Sequence, residues 1–368
     1  MPFTLSDDEA LMRDTVRQFA RQWGLEKAAD ADRHDRYPVQ AMADAAALGL
    51  TGLAARDGPG ATAYVLALDE VAQVDPTLAA CLAAHNAALA AASTANHPVA
   101  GPLAAGEIGA LLVAEEAAGS DALHPGTALA GDAALTVSGQ KVWGINALAA
   151  RHLLVLAKHG TSLSLLALPR DAVGVSVGAN EPLMGLRAAG IRTVYLSKVA
   201  VPPAAFVGAS GQGAAAVAAG RAWLTLGSAA ALCGAVAGGL AAAATFAQNR
   251  VQFGAPIATY QAVSDGLTTM DVQLAAARAL VLQAAARLSE PDGAVWAARA
   301  KAFAAEMAIP MTRQAIRVQG GTGFMREGGT ERFARDARAL QFVGETVQIQ
   351  RDILKRALLP DVAFAPEP

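Results

Sequence analysis

The chain has 368 residues and a formal net charge of -3, with 54% hydrophobic, 17% charged and only 5% aromatic residues. That length exceeds one small core and fits two or three domains around a shared interior. The near-balanced charge, with no clustered basic stripe and no interleaved aromatics, excludes nucleic acid as a partner.

Residues 1–8 lack a basic stretch ahead of an apolar core, so no secretory signal is expected. Ser6 with Glu9 three residues later spells a capping box, and Leu11, Val16, Phe19 and Ala20 then recur at helical spacing. Helical patterning continues over 38–106, with Ala45, Leu48, Val65, Leu66, Leu68 and Val71 inward and a turn at Gly58, Pro59 and Gly60. Residues 1–108 read as an N-terminal helical domain. Its apolar content is largely alanine, which favours closely packed helices. His85 and Asn86, set between apolar segments, read as a satisfied buried polar pair.

The texture then changes. Short apolar runs at 110–114, 134–137, 153–156, 163–168 and 193–196 are separated by Gly, Asp, Asn and Pro, the pattern of strands joined by turns. Residues 109–208 are expected to form a central β-domain. From 209 to 368 helical periodicity returns, with breaks expected at Pro256, at 289–293, at Pro310 and at 320–329, leaving four or five long helices. The nearly uncharged run 227–247 is long enough to cross a bilayer. Its Ala and Gly gain little from lipid, and Gln248, Asn249 and Arg250 follow directly, so a helix buried within protein is expected instead of membrane insertion.

Cys81 and Cys233 have no CxxC spacing and read as buried free thiols, compatible with a reducing cytoplasm. No His, Cys, Asp and Glu cluster has metal-ligand spacing. Gly211-Gln-Gly213 imitates a dinucleotide loop, but no βαβ unit surrounds it.

The stretch with most chemistry in it is Arg250-Val-Gln-Phe-Gly-Ala-Pro-Ile257. It sets a cation at a helix end beside a turn, where a phosphate could meet both arginine and freed backbone groups. Arg317-Val-Gln-Gly-Gly-Thr-Gly-Phe324 adds glycines that a phosphate can approach closely. Further segments are Ala114-Glu-Glu-Ala-Ala-Gly-Ser-Asp121, Gly139-Gln-Lys-Val-Trp143, Gly190-Ile-Arg192, Arg335-Asp-Ala-Arg338 and Thr346-Val-Gln-Ile-Gln-Arg351.

In this order and at about this spacing, the segments resemble the acyl-CoA dehydrogenase family over essentially the whole chain. The resemblance implies a mainly α fold with a central β-domain: an N-terminal helical domain, a middle β-barrel-like domain and a C-terminal four-helix bundle. It implies FAD between the β-domain and the bundle, completed by a neighbouring subunit of a homotetramer or homodimer. Carried over, Ser120 would bond the pyrophosphate and Trp143 would pack on the isoalloxazine. Arg250 and Phe253 would hold the adenine end across the subunit interface. Arg317, Gly320 and Gly321 would lie near the pyrophosphate, Thr346 and Gln348 near the flavin and ribityl chain, and Arg221 near the CoA portion of a thioester. The reaction implied is α,β-dehydrogenation of an acyl-CoA or carrier-bound thioester in fatty acid metabolism, with electrons passing to an electron-transfer flavoprotein or another acceptor.

The sequence departs from that pattern at the base. The family's catalytic glutamate position, counted from Arg335-Asp-Ala-Arg338, holds Gly344, and the alternative position on the first bundle helix holds Gly220. Glu345, the next residue, is the favoured catalytic base, since a small backbone change would bring its carboxylate to the same pocket. Two other readings remain: a flavoprotein doing elimination or oxygen-dependent chemistry, and a non-catalytic FAD-binding subunit. Ala114 and Ile145 also stand where threonines are usual, and Arg317 where a glutamine is usual.

Overall fold

The computed structural model describes residues 5–119, 123–131, 134–362 and 364. The chain opens with helices α1 (Asp7–Arg33), α2 (Val39–Ala47), α3 (Gly60–Ala72), α4 (Pro76–Thr94) and α5 (Ala100–Ala104). Strands β1 (Gly109–Leu112), β2 (Ala128–Ala130), β3 (Thr136–Gly144), β4 (His152–His159), β5 (Ser162–Pro169), β6 (Val175–Val177) and β7 (Arg192–Ala200) follow. The 37-residue helix α6 (Gly213–Asn249) leads to a small hairpin of β8 (Val251–Gln252) and β9 (Ala255–Pro256). Helices α7 (Gln261–Ala286), α8 (Gly293–Gln319), α9 (Gly321–Phe324), α10 (Thr330–Leu340) and α11 (Val347–Leu358) complete the chain.

The capping box at α1 forms as the spacing predicts: Ser6 Oγ accepts from Glu9 N at 3.2 Å and Ser6 N donates to Glu9 at 2.8 Å. Three acidic residues in the first turn meet the positive end of the helix dipole. α4 is capped by Asp75, whose carboxylate accepts from Thr77 N and Leu78 N, with Pro76 at the first helical position.

α6 runs through the middle of the molecule, packed by α3, α4 and α8. Its glycines at 220, 227 and 234 recur every seventh residue. At Gly220 an added Cβ would collide with the Ala87 carbonyl, at Gly227 with Tyr64 and at Gly234 with the Asp69 carbonyl, so the small residues let α3 and α4 approach closely. This explains the alanine-rich, aromatic-poor composition: close backbone packing replaces large side chains as core filling. One apolar core, including Leu68, Leu78 and Leu82 from the first helices and Leu226, Leu232 and Ala304 from the last, spans both helical units. Each buried leucine contributes about 1.5–3 kcal/mol. α6 is long and apolar enough to cross a membrane, but 67% of its most apolar window is buried inside the protein.

The mixed sheet has the order β1-β4-β2-β3-β7-β6, with β5 also paired to β4. Its own apolar layer contains Val137, Leu153, Val155, Leu166 and Val199.

Two expectations are corrected. Pro310 does not break the last bundle: α8 runs through it. Pro310 and Glu306, whose carbonyl loses its donor, both lie on the exposed side, where the freed group is open to solvent. Leu48, expected inward, is 45% exposed because α2 ends there and the chain turns away at Gly49. Cys81 and Cys233 are buried free thiols.

Candidate active site

A cavity of about 570 Å³ opens between the sheet, α6 and the turn linking α10 to α11. Its wall is mainly apolar: Ala114, Val142 and Ile145 from the sheet side, Leu183 and Leu186 from the segment before β7, Leu224 from α6 and Phe342 from the turn. Arg221 and Glu345 are the charged side chains on that wall among the described residues.

The sheet contributes Trp143 through an irregularity. Lys141 and Trp143 are two apart on β3, yet Lys141 is fully buried while Trp143 is 59% exposed. The β3–β7 register shifts between Lys141 and Gly144, and Trp143 takes φ 54°. A positive φ on so bulky a residue is strained, and such strain persists where surrounding structure dictates it. Here the bulge turns the indole onto the cavity wall. Behind it, Lys141 Nζ donates to Glu115 at 2.7 Å and to the Val113 carbonyl at 3.1 Å. Glu115 also accepts from Gly126 N at 2.6 Å and Thr127 N at 3.0 Å. Burial opposes the charge on both groups, but these bonds still leave the Glu115 carboxyl below its ordinary range. The pair pins the chain leaving β1 beside the cavity.

His85 and Asn86 hold the neighbouring wall from below, both fully buried. His85 Nε2 lies 3.1 Å from the Thr51 and Leu103 carbonyls while Nδ1 accepts from Gly109 N, which requires a neutral ring protonated on Nε2. Burial lowers its pKa to about 4.

The opposite wall is the turn after α10. Gly344 and Glu345 take φ 69° and 78°, two successive left-handed residues. An added Cβ at Gly344 would lie 2.7 Å from Thr225 Cα and 2.8 Å from Thr225 N. The Gly344 carbonyl accepts from Thr225 Oγ1 at 2.8 Å and Gln350 Nε2 at 2.9 Å. Lys301, fully buried on α8, donates to the Leu340 and Val343 carbonyls at 2.6 and 2.7 Å and to Ser228 Oγ at 2.8 Å. Burial pushes this ammonium down to about 7. Thr346 caps α11 by accepting from Ile349 N at 3.4 Å. Glu345 is thereby presented to the cavity, where it pairs with Arg221. Burial lowers the pKa of the Arg221 guanidinium.

The two glycines that stand in the base positions are both closed by packing. At Gly220 an added Cβ would lie 2.7 Å from the Ala87 carbonyl and 2.7 Å from Leu111. Neither position has room for a glutamate on this backbone.

Trp143, Arg221, Glu345 and Thr346 thus line one cavity. Ser120 lies outside the described residues. Arg250, Phe253, Arg317, Gly320, Gly321 and Gln348 are exposed and do not line it. Phe253, at the tip of the β8–β9 hairpin, is 96% exposed with φ 52°. An apolar ring held outward in a strained conformation is a feature that a second surface would explain. Sequence reasoning passed over Lys301, Thr225, Gln350 and the Glu115–Lys141 pair. For Lys301 a signal existed, since it falls on the same α8 face as the buried Ala297, Ala304 and Ala308.

Three family models match the chain in order: acyl-CoA dehydrogenase N-terminal domain over residues 6–97, middle domain over 110–199 and C-terminal domain over 211–359. A probable acyl-CoA dehydrogenase of Bacillus subtilis (strain 168) is 31% identical over 390 residues, covering 98% of this chain and 100% of the relative. The structure is similar to butyryl-CoA dehydrogenase from Megasphaera elsdenii, with TM-score 0.92 and 27% identity over 98% of this chain and 100% of that one. It is similar also to glutaryl-coenzyme A dehydrogenase in complex with glutaryl-CoA, with TM-score 0.92 and 26% identity over 98% and 97% of the two chains.

Proposed function

The chain belongs to the acyl-CoA dehydrogenase family, and we propose that Glu345 is the base with which this FAD-dependent oxidoreductase removes the α-proton of an acyl-CoA thioester. The observation that carries the assignment is the placement of Glu345 on the wall of the cavity between sheet and bundle, beside Arg221. A proton α to a thioester is weakly acidic, so its removal needs a carboxylate held at the carbon in a site that excludes water.

The residues present fit the cofactor. The cavity lies within the size range of small-molecule sites, and its wall is apolar with an aromatic plane at Trp143. FAD, when bound, supplies the hydride-accepting chemistry that side chains lack. Trp143 and Thr346, both on the cavity wall, would hold the flavin ring. Ala114 and Ile145 make the wall apolar where hydroxyls are usual in the family. Ser120, Arg317, Gly320 and Gly321 would serve the pyrophosphate, and Gln348 the ribityl chain. Arg250 and Phe253, both exposed, would reach the adenine end of the cofactor bound by a second copy, which makes the working unit a homodimer or homotetramer. An electron-transfer flavoprotein or a comparable acceptor would take up the electrons removed from the substrate, and the enzyme would work in the cytoplasm.

Purified protein mixed anaerobically with short and branched acyl-CoA compounds tests the reading. Bleaching of the flavin absorption supports it; no bleaching by any thioester contradicts it.

A further inference from the structure

Lys301 is a basic side chain with no accessible surface and, among the described residues, no carboxylate within salt-bridge distance; three oxygens receive its Nζ protons. Burying an ammonium costs several kcal/mol unless every proton is bonded, so a plain packing role would be served at lower cost by methionine. The choice of acceptors says what the charge is for. Leu340 is the last residue of α10, whose terminal carbonyls carry the negative end of the helix dipole. Val343 immediately precedes Gly344 and Glu345. One ammonium therefore ties the end of α10 to the turn three residues later and draws the two carbonyls toward a single point.

The next carbonyl, that of Gly344, is held by Thr225 and Gln350. Side chains from α6, α8 and α11 thus fix the carbonyls of residues 340, 343 and 344. With those three oxygens fixed, the turn cannot rotate its peptide planes. Gly344 and Glu345, the two left-handed residues of the turn, are thereby held, and Glu345 is directed to the cavity and not to solvent.

We propose that Lys301 is a positioning residue for the reaction: its buried ammonium clamps the Leu340 and Val343 carbonyls so that Glu345 meets the substrate α-carbon. The proposal rests on Glu345 being the base. Lys301 itself touches neither substrate nor cofactor.

The test compares Lys301→Met, Lys301→Gln, Thr225→Val and Glu345→Gln in the FAD-loaded enzyme. Four quantities are read: bound flavin, melting temperature, KM against kcat, and exchange of the substrate α-proton with solvent deuterium. A misplacement of the base by about 1 Å costs on the order of 10²-fold. Lys301→Met should therefore lower kcat and α-exchange by roughly that factor while KM changes less than about 3-fold and flavin is retained. Lys301→Gln, which keeps two N–H donors, should recover part of the loss. If Lys301→Met fails to fold, Thr225→Val removes one bond from the same turn and should lower α-exchange with little change in KM. Normal exchange in Lys301→Met or, where that variant does not fold, in Thr225→Val overturns the proposal, as does a loss that only parallels lost flavin. Full activity in Glu345→Gln instead overturns the assignment of the base, so the two failures are distinguishable.

Discussion

The α-carbon of Gly344 lies against the backbone of Thr225 so closely that a Cβ at 344 would fall 2.7 Å from Thr225 Cα. The glycine is therefore a packing requirement of α6 on the turn, and the neighbouring carboxylate on the cavity wall is that of Glu345. Gly344→Ala should cost roughly 2–5 kcal/mol, combining overpacking with a β-carbon in the left-handed region. The exchange Gly344→Glu with Glu345→Gly should not restore a working base. Denaturant unfolding and turnover check both statements.

The Glu115–Lys141 pair predicts an asymmetric response. Lys141→Met leaves a buried carboxylate without its cation, held by Gly126 and Thr127, and should cost about 2–4 kcal/mol, with weaker flavin retention because the Trp143 bulge loses its support. Adding Glu115→Gln should return more than half of the stability. Unfolding midpoints and the flavin-to-protein absorbance ratio measure these effects. Equal stability of the single variant and the parent would show that the pair is dispensable.

His85 predicts a pH dependence. Its folded pKa of about 4 lies below the unfolded value of 6.5. The neutral ring's contribution is present above pH 6.5 and is lost as pH falls toward about 4. The wild-type advantage over His85→Gln should shrink by about 2 kcal/mol between about pH 7 and 5. Taking the difference matters, because Asp336, raised by burial to about 6, has the opposite sign: its contribution is present at low pH and lost as pH rises through that value. An advantage that does not change with pH would contradict the neutral His85 assignment.

Phe253 tests the second copy. Because it is 96% exposed within one subunit, Phe253→Ser should change the stability of an isolated subunit by less than about 0.5 kcal/mol. In the assembled enzyme the same change should weaken FAD binding roughly 10- to 100-fold, as expected for losing a buried aromatic contact. Flavin titration alongside sedimentation measures both. Unchanged FAD affinity would remove Phe253 from the cofactor site.

Much of this architecture is written in local chemistry. The Ser6–Glu9 box marks the start of α1, and the apolar runs at 153–156 and 163–168 lie within β4 and β5. What escaped has tertiary causes. Period-two alternation puts Lys141 and Trp143 on one face, and only the bulge imposed by β7 separates them. Pro310 reads as a stop because its sequence does not reveal that Glu306 faces water. The clamp on residues 340–344 is invisible because its acceptors are backbone carbonyls, which carry no side-chain signature. The crowding of Gly344 likewise depends on α6, more than a hundred residues away in sequence.

The most direct measurement of the central claim is the rate of flavin reduction after rapid anaerobic mixing with an acyl-CoA, compared between the wild-type enzyme and Glu345→Gln at equal FAD content. Loss of the base predicts a rate lower by about 10²- to 10⁴-fold, with the flavin still bound. Reduction of Glu345→Gln at the wild-type rate would contradict the account.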